Sequence, residues 1–563
     1  LSDLKRFHAL FLVSSGDILM IGSWLKNSSS ETSVRQYIGL SVWVLTLLLI
    51  RSAQQSVMAH DEGWYAQQAR WIVESGDWVT QQWWGEPIHD RMMGIQWLIA
   101  ATYQLFGVSE ITARLPGAIA CWGSVLLIYD LGRRCLTAQI AWWGAAILAV
   151  TPIWMQAGRL AIQDVPLTGL ELLGIWALVM AEEQPQRRYR WGFLVGCTVG
   201  LGFMLKSVMV IPVIAALVPY LIWEHPRHRH LTNPALYLGL IVGFIPAAVW
   251  LSLSVQRYGW MPIERIFGAV VNLSQSDYHG VGPLYYLWSI PANAFPWPLL
   301  SVIGVVMGWR SPYRRKLLWL GYPLVLLTLL AIFKTRTWYY PLQLLPFGAL
   351  LAAMPLVSLG KQYQSRRQHV PVVLGTTLLL GCLGMILMIA GVAALVQPQW
   401  FPLASVWRYG LVAIAAGLGW LVPGLIYGLD RRQKGASSRQ RRTGLWQGGW
   451  LLGPWGAIAL LYATGLWGNY NAPLKIAATT PPLSTELSGH TVNLLVNPEK
   501  FNWATQDVVV LTFYTPHPGR HVTDWHSLRS GDFTWMIASD LERLPNSTRV
   551  VGGVDKWLLV QLS

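Results

Sequence analysis

The chain has 563 residues, of which 53% are hydrophobic and only 12% charged, with a mean hydropathy of +0.38. Soluble domains carry roughly a quarter charged residues, so a multidomain soluble enzyme is excluded and many membrane spans are implied. A nucleic-acid partner is excluded as well: residues 469–563 hold 7 Lys and Arg against 8 Asp and Glu, so the formal charge of +15 sits among the apolar runs, where it sets membrane orientation.

In chain order, stretches near the roughly 17–25 residues needed to cross a bilayer lie at 37–53, 112–131, 138–156, 162–181, 191–207, 208–224, 234–256, 283–308, 317–333, 338–358, 371–396, 406–428 and 446–468. These predict an all-α polytopic membrane protein of about thirteen spans, with 191–224 turning at Lys206-Ser207. Every second loop is basic: Arg133-Arg134, Arg187 to Arg190, His225 to His230, Arg310 to Lys316, Lys361 to Arg367 and Arg431 to Arg442. The positive-inside rule places these in the cytoplasm, and with them the N-terminal segment 1–36. The stretch 7–25 is interrupted by Asp17 and lacks a clear cleavage site, so no cleavable leader is read. The four cysteines lie in apolar runs and offer no disulfide framework.

The tail, 469–563, reads as a small β-rich or α/β extracytoplasmic domain. Its predicted strands are Thr491–Asn497, Asp507–Tyr514, Thr534–Ala538 and Lys556–Leu562, separated by Gly, Pro, Asn and Asp.

Chemistry collects on the predicted outer side. Loop 54–111 opens with His60-Asp61-Glu62 directly after the first span, continues with a helical stretch at Trp64–Val73, and ends in Trp78, Trp83, Trp84 and the triplet His89-Asp90-Arg91. Loops of this length are usually functional. Ionisable groups near membrane depth are costly and tend to be retained for function; Arg159, Asp164, Lys206, Asp277, His279, Lys334 and Arg336 all fall on this side. Taken singly, each has a bland reading as an ion pair, a snorkelling side chain or an anchor. Taken together they describe a cavity for an anionic ligand with an apolar part, such as a lipid phosphate. His225, His228 and His230 suggest a metal cluster, but they sit in a solvated basic loop. No P-loop, GxGxxG, HExxH or GxSxG is present.

These outer residues carry a resemblance. Asp61-Glu62-Gly63-Trp64-Tyr65-Ala66, Ser75-Gly76-Asp77-Trp78, Phe106-Gly107, Arg114-Leu115-Pro116, Gly158-Arg159 with Asp164, Leu205-Lys206, His279 with Gly282 to Tyr286 and Pro296-Trp297, and Thr335-Arg336 to Tyr340 and Pro346 run in the order of motifs found in bacterial lipid-linked-sugar glycosyltransferases. The chain resembles the aminoarabinose transferase and protein O-mannosyltransferase type, which has the GT-C membrane fold. It departs from that pattern at Asp90-Arg91-Met92, where an acid-Lys-Pro triplet is usual, at Ser207 in place of glycine, and at Gln343 in place of proline.

The resemblance implies an inverting transferase that moves a sugar from a polyprenyl-phosphate carrier to a lipid, glycan or protein acceptor on the outer face of the bacterial inner membrane, acting as a monomer among membrane lipids. Asp61 is then the expected base, with Asp164 and Glu62 completing the catalytic set. Arg91, Lys206, Arg336, Arg159 and Tyr340 are the expected phosphate ligands; His279, Tyr65 and Tyr285 would face acceptor or sugar. No cofactor is certain, although Asp90 and His89 supply ligand types for a divalent ion. The competing classes are a transporter or lipid flippase using the same charges as a gate, and a catalytically dead homologue serving as a binding protein.

Overall fold

In lipid no peptide group can be left unpaired, so apolar runs must close their hydrogen bonds internally as helices. The computed structural model follows this throughout the apolar region; it describes residues 28–275, 281–365, 371–430, 436–496, 507–545 and 548–562. The predicted N-terminal segment thus lies largely outside the described residues.

Among the described residues, seven helical runs are long and apolar enough to cross a membrane. The number is nine when each of two sharply bent pairs counts as one span: Ala138–Ala149 with Pro152–Gly158 at 65°, and Tyr285–Asn293 with Trp297–Arg310 at 113°. The sequence predicts about thirteen, and the difference has local causes. The apolar parts of the first and ninth predicted spans are short helices, Val34–Leu49 and Leu317–Ile332. The last predicted span is a helix, Ala436–Ala463, but Arg, Gln and Gly dilute its hydropathy. The fifth and sixth form one 39-residue run, Pro185–Trp223, which a straight helix would stretch to about 58 Å. Instead Glu182, just before the run, is bonded by Tyr220 near its far end and by Arg227 beyond it. The chain therefore doubles back, and it does so at Lys206-Ser207, where Ser207 takes φ 51°.

The basic loops meet on one face. Glu182 and Glu183 pair with Arg315, Arg134 and Arg227, and Arg315 also donates to the Arg134 carbonyl at 3.1 Å. Four loops that the charge alternation assigns to one side are thereby tied together.

The C-terminal region forms a five-stranded mixed sheet of β3 Val492–Leu495, β4 Pro518–Val522, β5 Phe533–Ile537, β6 Arg549–Val554 and β7 Trp557–Gln561, in the order β4-β3-β5-β7-β6. The numbering counts a small hairpin near the N-terminus as β1 Gln81–Trp83 and β2 Glu86–Ile88. Three of the four predicted strands are present. The fourth, Asp507–Tyr514, is instead a helix, Val508–Tyr514. The topology explains this: β3 and β4 are parallel, and a parallel pair needs a crossover, commonly helical. The run VVVLTF is buried on every side, so its apolar pattern alone does not separate strand from helix.

The sheet does not stand apart. Val508, Val509, Trp535 and Trp557 belong to the same continuous core as Tyr65, Ala66 and Ala69. Arg70 donates to the carbonyls of Phe513, Thr515 and Pro516. At Gly63 a Cβ would lie 2.6 Å from Val509, so only glycine admits this contact.

The alternation predicts opposite sides for exposed residues of the basic loops and of the C-terminal region. Single cysteines in Arg190→Cys and His490→Cys are expected to react with an impermeant thiol reagent from opposite faces of sealed vesicles. Labelling of both from one face would contradict the arrangement.

Candidate active site

The site begins at helix Asp61–Ser75, whose first turn holds Asp61 and Glu62, where carboxylates are favoured by the helix dipole. The two acids diverge. Glu62 is fully buried and accepts from Arg114 Nε at 2.7 Å and Nη2 at 3.2 Å, from Met58 N at 2.6 Å and from Ala161 N at 3.2 Å. Arg114 spends its remaining donors on the carbonyls of Ser52, Gln55 and Ser56. Glu62 thus fastens the helix start, while Asp61 is left on the open side, its side chain 35% exposed.

Arg91 arrives from the hairpin β1–β2. Trp84 and Gly85 at its tip both take positive φ, as tight two-residue hairpin turns require. The hairpin is braced by Arg257 on Asp77 at 2.6 Å, by Tyr258 on Thr80 at 2.7 Å, and by the sheet through His521 N to Trp84 O at 3.1 Å. Burial opposes ionisation of Asp77, but hydrogen bonds from Arg257, Val79 and Thr80 hold its pKa at about 2. Downstream, a Cβ at Gly94 would sit 2.5 Å from the Met204 carbonyl. This close approach brings the segment after Arg91 against the turn that carries Lys206.

A cavity of about 500 Å³ results, with Asp61, Tyr65, Asp90, Arg91, Lys206 and Tyr340 on its wall. At its polar end Arg91 donates to Asp61 Oδ1, Tyr65 Oη and Asp90 Oδ2, each at 2.9 Å. Burial raises the Tyr65 phenol well above its ordinary pKa, so it stays a neutral hydroxyl. Lys206 is ion-paired with Asp164 and lies 4.8 Å from the Tyr339 ring centre and 5.3 Å from that of Tyr340. Most of the remaining wall is apolar, with Val208, Met209, Ile211, Pro212, Ala215, Leu329 and Phe333, interrupted by Gln163, Ser207 and Thr335.

The other expected residues lie elsewhere. Arg159 is buried on the carbonyls of Leu47 and Ile50, with its guanidinium 3.7 Å from the Tyr462 ring centre. Arg336 caps the carbonyls of Ala331 and Lys334; its neighbour Thr335, not Arg336, lines the cavity. Tyr285 packs on Tyr286 and Trp288, and His279 lies outside the described residues. His89 is buried against Tyr258 at 4.6 Å; burial, then Arg265, lowers its pKa. Among the described residues no three His, Cys, Asp or Glu side chains converge as a metal site, so Asp90 and His89 gain no third ligand there, and His225, His228 and His230 do not form such a group. Sequence reasoning missed Tyr339 and Gln163 on the wall, and Glu171, buried about two turns after Asp164 on the same helix and accepting from Gln343 at 2.7 Å.

Breaking a buried ion pair by removing one partner costs about 3–5 kcal/mol. Arg114→Met should therefore lower the melting temperature of the purified protein sharply, and Glu62→Gln added to it should recover part of the loss. An unchanged melting temperature in Arg114→Met would remove the fastening role.

Known proteins resemble this chain in sequence and in fold. The family model for dolichyl-phosphate-mannose-protein mannosyltransferase matches residues 90–252. The undecaprenyl phosphate-alpha-4-amino-4-deoxy-L-arabinose arabinosyl transferase 2 of Pseudomonas fluorescens is 28% identical over 338 residues, 56% of each chain. Transferase 1 of the same strain is 26% identical over 381 residues, 64% of this chain and 66% of its own. The matched part thus spans about 56–66% of the length of these curated relatives. In structure, ArnT from Cupriavidus metallidurans bound to undecaprenyl phosphate superposes with a TM-score of 0.70 at 17% identity, covering 94% of this chain and 98% of that one. The oligosaccharyltransferase of Archaeoglobus fulgidus gives 0.50 at 10% identity, covering 92% and 70%. The chain is thus a multi-pass membrane protein with the GT-C fold, and over part of its length its sequence is similar to the aminoarabinose transferases.

Proposed function

We propose that the protein transfers a sugar from a polyprenyl-phosphate carrier to an acceptor hydroxyl on the outer face of the inner membrane, with inversion at the anomeric carbon. One observation carries the reading: a carboxylate, Asp61, and two cations, Arg91 and Lys206, share the polar end of a cavity whose remaining wall is mostly apolar. The apolar wall suits the isoprenoid, and the cations suit the phosphate. Relatives named as undecaprenyl-phosphate transferases support this donor class and favour it over the transporter or flippase reading. The placement of the cavity opposite the tied basic loops supports an outward-facing site.

The acceptor oxygen attacks the anomeric carbon, the bond from that carbon to the phosphate oxygen breaks, and the acceptor proton passes to Asp61. Charge accumulates on the departing phosphate, where Arg91 offers a planar fork and Lys206 a point charge. Asp164 orients Lys206, and Tyr340 with Tyr339 screens it from lipid. In the free site both cations already hold carboxylates. A donor phosphate that draws Arg91 toward itself leaves Asp61 free to accept the proton. Glu62 and Arg159 act on this reading only through the fold. The protein acts on this reading as a monomer, and segment 469–563 serves as an outer unit bracing the catalytic helix.

A general base contributes about 10²–10⁴-fold in rate. Asp61→Asn should lose transfer activity on that scale while still binding undecaprenyl-phosphate sugar in a folded protein; near-normal turnover with a hydroxyl acceptor would remove Asp61 from the role. Arg91→Ala and Lys206→Ala should instead weaken donor binding at preserved protein abundance. Normal donor affinity in both would return these cations to purely structural duty.

A further inference from the structure

On the face opposite the cavity, a recess of about 480 Å³ is lined by Trp223, Glu224, Pro226, Arg227, Arg314 and Arg315. We propose that it binds the phosphate of an anionic phospholipid headgroup from the leaflet facing the basic loops. The acids around it are already used: Glu182 and Glu183 pair with Arg315, Arg134 and Arg227, and Glu224 pairs with Arg227. Arg314, on the recess wall, has no carboxylate partner among the described residues. The two neighbouring arginines are divided by the backbone. Arg315 takes φ 58°, a left-handed conformation that L residues avoid, and its guanidinium turns inward to Glu182 at 2.9 Å. Arg314 is left exposed at the recess.

A lipid fits better than a free anion because the rim is aromatic and uncovered. Trp223, on the wall, is 72% exposed; Trp309, whose backbone carbonyl accepts from Lys316 at 2.9 Å, is 74% exposed. Tryptophan favours the depth at which headgroup meets acyl chain, and basic pockets between spans on the cytoplasmic side bind anionic headgroups. None of these residues touches the outer cavity, so the proposal stands or falls apart from the transferase reading.

Native mass spectrometry of the detergent-solubilised full chain, titrated with phosphatidylglycerol or phosphatidylcholine, tests it. Phosphatidylglycerol should be retained preferentially. Arg314→Ala should reduce its affinity about fivefold, the worth of one cation near a membrane surface, while Arg314→Lys keeps most of it. Arg190→Ala removes one charge from the same face outside the recess and should change little. Equal retention by Arg314→Ala and the parent, or an equal loss in Arg190→Ala, would overturn the site. Inorganic phosphate that occupies it as tightly as the lipid, with no effect of Trp223→Ala on either, would assign a free anion and overturn the lipid.

Discussion

The half of the molecule that holds the cavity depends on one buried ion pair. Glu62 and Arg114 together satisfy two backbone amides and three backbone carbonyls from residues 52–58 and 161. Such irregular backbone at the end of a membrane helix would otherwise be left unpaired in a medium where each lost hydrogen bond costs several kcal/mol. The pair turns the first span into helix 61–75 and joins both to helix Glu110–Cys135. Asp61 is next to Glu62 in sequence, so its position at the cavity follows from a group that never reaches the cavity.

The same economy of charge governs the cavity. A lone cation at membrane depth is costly, and here Arg91 and Lys206 each carry a carboxylate and an aromatic neighbour: Asp61 with Tyr65, and Asp164 with Tyr339 and Tyr340. The cations are thereby held in place before any ligand arrives, as preorganised electrostatic stabilisation requires. On the proposed reading, an incoming phosphate would exchange partners with carboxylates already present, which needs little movement of the chain. Departure from a lysine at Arg91 fits this arrangement, because one guanidinium reaches Asp61, Tyr65 and Asp90 together.

Much of this was legible in the sequence, for a physical reason. Asp61, Arg91 and Lys206 stand out because ionisable groups beside apolar runs need partners, and alternating loop charge puts them on one face; Tyr340 is picked out only by the resemblance. Residue type does not say whether the partner is a ligand or the protein's own backbone. Glu62, Arg159 and Arg336 share the signal of Asp61 and Arg91, yet their hydrogen bonds go to amides and carbonyls that only the folded chain assembles. Tyr339 was hidden because an aromatic beside a span reads as an interface anchor, and Glu171 because its partner Gln343 is 172 residues away. The helix at Val508–Tyr514 was illegible for a different reason: a segment buried all round has no periodicity to read, and only the parallel pairing of β3 with β4 decides it. The turn at Lys206-Ser207, in contrast, was visible as a charge interrupting an apolar stretch too long for one span.

The central claim is that Arg91 and Lys206 hold a lipid phosphate at the mouth of an apolar groove. A cryo-electron-microscopy map of the full chain with undecaprenyl phosphate tests it most directly. The account predicts phosphate density within ion-pair distance of both cations, Arg91 drawn away from Asp61, and the isoprenoid running past Met209, Pro212 and Phe333. Phosphate density elsewhere, with Arg91 still on Asp61 and Lys206 still on Asp164, would contradict it.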